Sequence, residues 1–396
     1  MKVLQINTVY PNGSTGKIAK LITKMCLENG IECKTAYRYR EKIRLEDTIC
    51  ISSWIDTHIH NRIDKWTCLG GSFSKLHTFF FLKRLRKYDP DVIHIHNIHG
   101  NFINVNMLFR YIKKYKKPVI WTLHDCWSFT GMCPYFTFSK CDQWKSACAC
   151  CPHMKNSLLK RRVIRWMFAR KKEWFSGINN MLLVTPSSWL ADLVKESFLG
   201  CYPVTVINNG IDLSIFHPSK RDNNTLLEKS RSEFIVLGVA FDWDKRKGKD
   251  VFLKLREELP LNYKIVLVGT EESIPGIVTI AKTNNQQELA EIYSMADVFV
   301  NPTREENYPT VNMEALACGT PVITFNTGGS PEIIDEYCGI VVECEDIKNL
   351  TKAIVDVCEN KTLSRTACVE KAKNFDAESN YRRYIEEYMR MFEKKE

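Results

Sequence analysis

Short apolar runs rich in Val, Ile, Leu and Phe alternate along the whole chain with longer segments of helical period. That alternation is the pattern of parallel sheets crossed by helices. In the first half KVLQINTV, DVIHIHNI, PVIWTLHD and MLLVTPS predict strands, and helices start near Lys17, Ile103 and Trp189. In the second half FIVLGVAF, YKIVLVG, VTIAKT, DVFVNPT, PVITFN and GIVVE predict strands, with helices from near Gly248, Gln286, Thr310 and Asp346. Each half therefore reads as a doubly wound α/β unit. The polar, turn-rich stretch between Tyr202 and Ser232, with NNGIDLSIFHPSKRDNN, separates them. The expected domains are 1–205 and 206–375, followed by an amphipathic helix over 376–396.

The 396 residues exceed what one hydrophobic core serves, which agrees with two units. An apolar share of 44% excludes a disordered chain, and no apolar run is long enough to predict a membrane span. The opening MKVLQINTVYPNGSTG reads as a first strand and turn rather than a signal peptide. Cysteines number 16, and several stand singly (Cys26, Cys33, Cys50, Cys318, Cys338), as reduced buried thiols do. A cytoplasmic location is expected. Charge divides unevenly: residues 1–205 carry a balance of +18 and residues 206–396 one of −8, within a net +10. The basic half points to an anionic membrane face, a phosphorylated ligand or nucleic acid.

Ligands of open α/β sheets collect at the carboxyl ends of the strands, and the chemical motifs fall there. In TREENYPTVNMEALACGTPVI, Glu306 closes a loop after a strand and Glu314 lies in the first turns of the next helix. Two such acceptors suit two sets of sugar hydroxyls, with helix amides between them facing an anion. In FDWDKRKGKD, Arg246 and Lys247 precede Gly248 at the mouth of a helix, a setting for a diphosphate or, equally, a solvated basic turn. Gly13 and Gly16 in PNGSTGKIA let backbone approach a phosphate or acceptor, though the loop matches no nucleotide fingerprint. His124 and Asp125 end the strand PVIWTLHD, whereas His94 and His96 on one strand face suit the core or an acceptor cleft.

These residues carry a resemblance. NNGIDLSIF, FDWDKRKGKD, TREENYPTVNMEALACGTPVI and GGSPEII, in this order, resemble the retaining GT-B glycosyltransferases of glycosyltransferase family 4. TLHDCWSFTGMCPYF is similar to the colanic-acid or capsule type. The resemblance implies two Rossmann-like domains facing across a cleft, with the C-terminal helix crossing back to the N-terminal domain. It implies an NDP-sugar donor, UDP- or GDP-hexose, held by the C-terminal domain and transferred with retention to a saccharide or polyprenyl-diphosphate-linked acceptor. Glu306 would lie against the donor sugar, Glu314 on the ribose and His124 on the hexose; Lys247 and Arg246 would meet the diphosphate. The Gly16 loop would line the cleft near the donor phosphates. Asn307, Tyr308, Pro309 and Thr310 stand where the family has a Gly-Phe-Gly-Leu-type loop, so Asn307 and Tyr308 join the donor-binding candidates.

The insert 126–152 holds Cys133, Cys141, Cys148 and Cys151, whose last pair has Cys-x2-Cys spacing. A structural zinc and free thiols in a packed loop fit this segment equally, and catalysis is expected to need no metal or cofactor. KNSLLKRRVIRWMFARKKEWF is basic and aromatic with helical period, so it either packs on its own domain or lies on the inner face of an anionic membrane through Trp166, Phe168 and Trp174. A nucleotide-sugar epimerase or phosphorylase of the same fold is an alternative. So is a non-catalytic metal- or anion-binding module, although no nucleic-acid motif accompanies the basic half.

Overall fold

The computed structural model describes residues 1–39, 47–219, 230 and 232–393. The chain divides into two units: Met1–Ile207 together with the residues from Tyr381 onward, and Asn208–Asn380. The break falls within the polar stretch between Tyr202 and Ser232, of which 220–229 and 231 lie outside the described residues.

The first unit has a sheet of strands β1 (Lys2–Asn7), β2 (Glu32–Tyr37), β3 (Thr48–Cys50), β4 (Val92–Ile95), β5 (Val119–Thr122), β6 (Met181–Thr185) and β7 (Val204–Val206). All pair in parallel, in the order β3-β2-β1-β4-β5-β6-β7. Helices α1 (Ser14–Glu28), α2 (Trp54–Thr67), α3 (Lys75–Tyr88), α4 (Val105–Tyr115), α5 (Leu158–Phe175) and α6 (Ser188–Glu196) make the connections. α4 shows why: Val105, Leu108, Phe109 and Ile112, at spacings of three and four, are fully buried. Asn104 caps it by accepting from the Met107 amide at 3.0 Å, and Lys116 ends it in the left-handed region. Each such buried side chain contributes roughly 1.5–3 kcal/mol.

The second unit repeats the plan with β8 (Phe234–Val239), β9 (Tyr263–Val268), β10 (Ile277–Ile280), β11 (Val298–Asn301), β12 (Val322–Phe325) and β13 (Gly339–Val342). Their order is β10-β9-β8-β11-β12-β13, again all parallel. Its helices are α7 (Lys249–Glu258), α8 (Gln286–Met295), α9 (Thr310–Ala317), α10 (Ile347–Asn360) and α11 (Arg365–Ala372). The last helix, α12 (Ala377–Glu393), has its first four residues in the second unit and the rest, from Tyr381, in the first. There the Tyr388 hydroxyl lies 2.5 Å from His94 Nδ1, and the Thr122 hydroxyl donates to the Tyr384 hydroxyl at 3.1 Å. Among the described residues no helix is long and apolar enough to cross a membrane.

β2, β3 and β7 escape the sequence pattern. ECKTAY mixes polar and apolar positions, and the other two are three-residue edge strands with half-buried side chains.

Candidate active site

Strand order reverses direction between β8 and β11 in the second unit and between β1 and β4 in the first, so each sheet has its ligand crevice at that point. The loop after β8 ends in a 3-10 turn, Lys245–Lys247, capped by Asp244, whose Oδ1 accepts from the Lys247 amide at 2.9 Å. Gly248 follows with φ +77°, and a Cβ there would stand 2.4 Å from the Pro302 carbonyl oxygen. Only glycine lets this turn abut the exit of β11. The Arg304 amide then donates to the Arg246 carbonyl at 2.8 Å, joining the two loops.

This contact brings Lys247 and Glu306 together: the Lys247 ammonium donates to Glu306 Oε2, with both side chains largely buried. Lysine has three N–H donors, so the bond to Glu306 leaves others for phosphate oxygens. Glu306 Oε1 also accepts from the Asn307 amide at 3.2 Å. The loop after β12 closes on this segment. Gly328, with φ +56°, sits so near that a Cβ would fall 1.7 Å from the Glu306 carbonyl oxygen, and the Gly329 amide donates to the Asn307 carbonyl at 2.9 Å. Next in that loop the Ser330 hydroxyl is fully buried and has no hydrogen-bond partner among the described residues.

Glu314 lies on α9, which starts after Pro309 with no side-chain cap, leaving its first amides open to an anion. The Tyr293 hydroxyl donates to Glu314 Oε2 at 3.2 Å. Burial first and the Glu314 carboxylate second push the Tyr293 phenol well above its ordinary value, so it stays a donor. Asn301 and Asn312, both buried, hold the end of β11 against α9 at 2.8 Å.

The Arg246 guanidinium donates through Nη1 to the Glu305 carbonyl at 3.3 Å and has Nε 3.8 Å from Asp244, so it is partly committed to its own loops. The bidentate guanidinium is Arg304, which grips Asp250 and Glu345. Tyr308 is 6% exposed within the unit's apolar core, which leaves backbone as its contribution to a ligand.

In the first unit β4 and β5 carry His94, His96 and His124 to the crevice end. Gln5 Nε2 donates to the Ala19 carbonyl at 2.9 Å and to Thr23 Oγ1 at 2.8 Å, which turns its Oε1 toward His96 Nε2 at 2.9 Å. His96 therefore donates from Nε2, and its Nδ1 accepts from His124 Nε2 at 3.2 Å. Burial depresses all three rings; His124 falls to about 4, with Asp125 partly opposing, and His94 and His96 fall well below the ordinary value. At neutral pH the network is uncharged and its tautomers are fixed. His99 behaves oppositely. Burial opposes its charge, but Asp125 Oδ2 at 2.7 Å outweighs burial and raises it, and Asp125 itself is lowered against its own burial.

Gly16 lies in the first turn of α1, where a Cβ would meet the Pro11 carbonyl carbon at 3.2 Å and the Val9 carbonyl oxygen at 3.3 Å. The glycine thus serves the close packing of its own loop. The cysteines of the insert, like the rest, are free thiols. Burial, then the neighbouring thiols, push Cys133 up to about 12; Cys148 rises to about 11, chiefly by burial. Among the described residues no group of three or more His, Cys, Asp or Glu is placed to hold a metal ion. The start of the insert is held by Lys171 of α5, fully buried, whose ammonium donates to the carbonyls of Trp127 at 2.8 Å and Thr130 at 3.2 Å and sits 3.4 Å from the centre of the Trp127 ring.

Asp125 ends the strand PVIWTLHD and is a candidate from the sequence, but nothing local pairs it with His99. Arg304, Asp250 and Lys171 stand inside TREENYPTVNMEALACGTPVI, FDWDKRKGKD and KNSLLKRRVIRWMFARKKEWF, yet no spacing singles them out as site-shaping residues.

Residues 33–215 match the model of Glycosyltransferase Family 4, and residues 227–375 match that of Glycosyl transferases group 1. The chain belongs to the glycosyltransferases of this two-domain kind, with the GT-B fold. A protein of Escherichia coli K12 assigned to colanic acid biosynthesis as a glycosyl transferase is 26% identical over 375 residues, 89% of this chain and 90% of that protein. Among solved structures, sucrose-phosphate synthase from Thermosynechococcus elongatus has a TM-score of 0.73 at 18% identity, covering 99% of both chains. HepE of Anabaena in complex with UDP-glucose has a TM-score of 0.67 at 13% identity, covering 98% of both.

Proposed function

We propose that the protein transfers a hexose from a nucleoside diphosphate sugar to a hydroxyl of a saccharide acceptor carried on a polyprenyl diphosphate, with retention, during synthesis of a surface polysaccharide in the cytoplasm. The observation that carries this reading is the Lys247–Glu306 pair at the switch point of the second sheet. One ammonium serves a carboxylate that orients sugar hydroxyls and a diphosphate that must leave.

In the transfer the acceptor oxygen bonds to the anomeric carbon, and the bond from that carbon to the phosphate oxygen breaks. The diphosphate departs with the electron pair and takes the acceptor's proton. Lys247 and the open amides of α9 stabilise the charge that develops on it, the kind of effect that is usually the largest in catalysis. Glu314 holds the ribose, and Glu306 orients the hexose without becoming a nucleophile. His124 is assigned to the sugar, and the basic first unit to the acceptor. A nucleotide sugar as donor is supported by the UDP-glucose complex of the similar Anabaena protein, and polysaccharide synthesis by the Escherichia coli relative.

The test incubates the protein with UDP- and GDP-hexoses and a lipid-linked saccharide acceptor, then reads the product anomer by NMR. Acceptor-dependent release of nucleoside diphosphate with a retained anomer is expected, at a rate unchanged by EDTA. Release without an acceptor points to the epimerase, and dependence on inorganic phosphate to the phosphorylase; either result overturns the assignment.

A further inference from the structure

The loops after β4 and β5 stand side by side, because the two strands pair in parallel with Ile95 against Trp121. The first loop carries His99; the second carries His124 and Asp125. Gly100 fixes the first: a Cβ there would fall 2.2 Å from Thr8 Cγ2, and the Thr8 hydroxyl donates to the Asn97 carbonyl at 2.9 Å. The second is fixed at Asp125, whose Oδ1 accepts from the Trp127 amide at 2.8 Å while Oδ2 accepts from His99 Nε2 at 2.7 Å. The His99–Asp125 pair thus ties the two loops together right beside His124.

His94 meets the hydroxyls of Tyr388 and Thr122, and His96 meets Gln5 and His124, so both have uncharged partners. His124 stands differently, since its next neighbour in the chain is a carboxylate with only 10% of its side chain reaching solvent. A buried carboxylate lacking a cation of its own favours a charged form of the nearest imidazole. Among the described residues, His99 is the cation that hydrogen-bonds Asp125.

The remaining charge nearby comes from α5. That helix turns Phe168 and Trp174 into the core together with Lys171, so of the aromatic residues that the sequence allowed an outward face only Trp166 keeps one. The Lys171 ammonium and the His99 ring both lie against Trp127, at 3.4 and 5.5 Å from the centre of its larger ring system, and the Lys171 hydrogen bonds go to the carbonyls of Trp127 and Thr130. Lys171 therefore opposes the charge on His99 without relieving Asp125, and Asp125 outweighs both burial and Lys171 to raise His99. At His124 burial and the His99 charge act downward and Asp125 upward, with the ring held at about 4.

We propose that His99 is a positioning residue for sugar transfer: bound to Asp125, it screens that carboxylate from His124 and holds the His124 ring in place as a neutral imidazole. This role rests on the assignment of His124 to the hexose. Neutrality matters there because positive charge develops on the hexose as the diphosphate leaves, and a cation against that sugar opposes it. It also fixes hydrogen-bond polarity. With its proton on Nε2, donated to His96, the neutral ring carries a lone pair at Nδ1, where a charged ring carries a second N–H. The groups that bear on His124 are then Asp125 on its own loop, His94 and His96 from β4 and its exit, His99 from the loop after β4, and Lys171 from α5 through His99.

The test compares His99→Gln, which keeps an N–H for Asp125 and removes the charge, with His99→Lys, which restores a cation. Ring titrations by NMR are read first, on the full chain without any sugar. In His99→Gln the His124 ring is expected to titrate about two pH units higher than in wild type, and in His99→Lys close to wild type. Transfer is then measured at pH 8 and pH 5.5, with near-UV circular dichroism showing all three proteins folded. The fall in kcat between the two is expected to be at least threefold larger in His99→Gln than in wild type, with KM for the donor changing less, and His99→Lys is expected to follow wild type. An unmoved His124 titration, or a lysine variant that behaves like the glutamine one, would overturn the proposal. So would a loss of kcat in His99→Gln that is equal at both pH values, which is the mark of a merely structural role. A moved titration in a protein that transfers no sugar from any donor would instead overturn the transferase reading, and the role in transfer with it, while leaving the screening of His124 by His99 in place.

Discussion

Arg304 grips Asp250 through two parallel hydrogen bonds, Nη1 to Oδ1 at 2.7 Å and Nη2 to Oδ2 at 2.8 Å, with only 4% of its side chain reaching solvent. Nη2 also donates to Glu345 at 3.0 Å, and hydrogen bonds from Arg304 hold both carboxyls below the usual range. The guanidinium ties the exit of β11 to the first turn of α7 and so sets the spacing of Glu306 and Lys247. Arg304→Met keeps the stem and removes the donors. Because the two carboxylates are half exposed and can rehydrate, the expected loss is about 2 kcal/mol. Urea denaturation measures it, and a loss under about 0.5 kcal/mol would show that the loops hold their places without this grip.

Gly328→Ala tests the closeness of the loop after β12. A methyl group 1.7 Å from the Glu306 carbonyl oxygen, at φ +56°, forces that segment to move. The expected cost is about 2–3 kcal/mol, with turnover falling more than the stability loss explains. Gly30→Ala is the control: φ is +70°, nothing lies within 4 Å, and strain of about 1 kcal/mol without loss of activity is expected.

Lys247→Met should lower kcat about 100-fold or more while changing KM for the donor less, because the ammonium acts on charge that develops as the diphosphate leaves. Steady-state kinetics with whichever UDP- or GDP-hexose supports transfer decide it. Unchanged kcat would remove leaving-group stabilisation from the account.

The two sheets were legible because most of their strands are buried on both faces, and continuous Val, Ile and Leu runs follow from that. All six strands of the second unit coincide with the apolar runs. Helices α2 and α3 were not legible, since their outward faces carry Trp, Ile, Leu and Phe where a periodicity argument expects polar residues. The meeting of Lys247 with Glu306 follows from motifs that stand after strands β8 and β11, whose apolar runs are legible. The Arg304 grip, the Lys171 anchor and the order of donation from His124 through His96 to Gln5 arise from side chains far apart in sequence, so no local spacing announces them.

Lys171→Ala should cost about 3 kcal/mol, combining a cavity with two orphaned carbonyls at Trp127 and Thr130. The burial that fixes this side chain pulls its ammonium down to about 7, with Cys148 and Asp125 partly opposing. Its folded value lies below that of the unfolded chain, so stability should rise with pH between about 7 and 10, where only the unfolded chain keeps the proton. The alanine variant should lose that slope. A variant with the wild-type slope would show that another group titrates there.

Between about pH 4 and 6.5 the sign is set by histidine. His94, His96 and His124 stay neutral in the fold, and His60, which burial lowers to about 4, joins them. Their folded values lie below the unfolded one near 6.5, so as pH falls through 6.5 the unfolded chain binds protons that the folded chain does not. Stability is therefore lost on acidification, by up to about 2 kcal/mol per ring between pH 6.5 and 5. His99 adds no opposing slope in this window: its folded value is raised, so its contribution is complete below 6.5 and fades only at higher pH. Asp125 is lowered and loses its contribution only below about 4. Urea midpoints at pH 7 and pH 5 should fall steeply for wild type and less for His60→Asn, which removes one ring. A midpoint that did not move between pH 7 and pH 5 would mean that these rings are charged in the fold, and the donation chain from His124 to Gln5 could not then have the tautomers its distances assign.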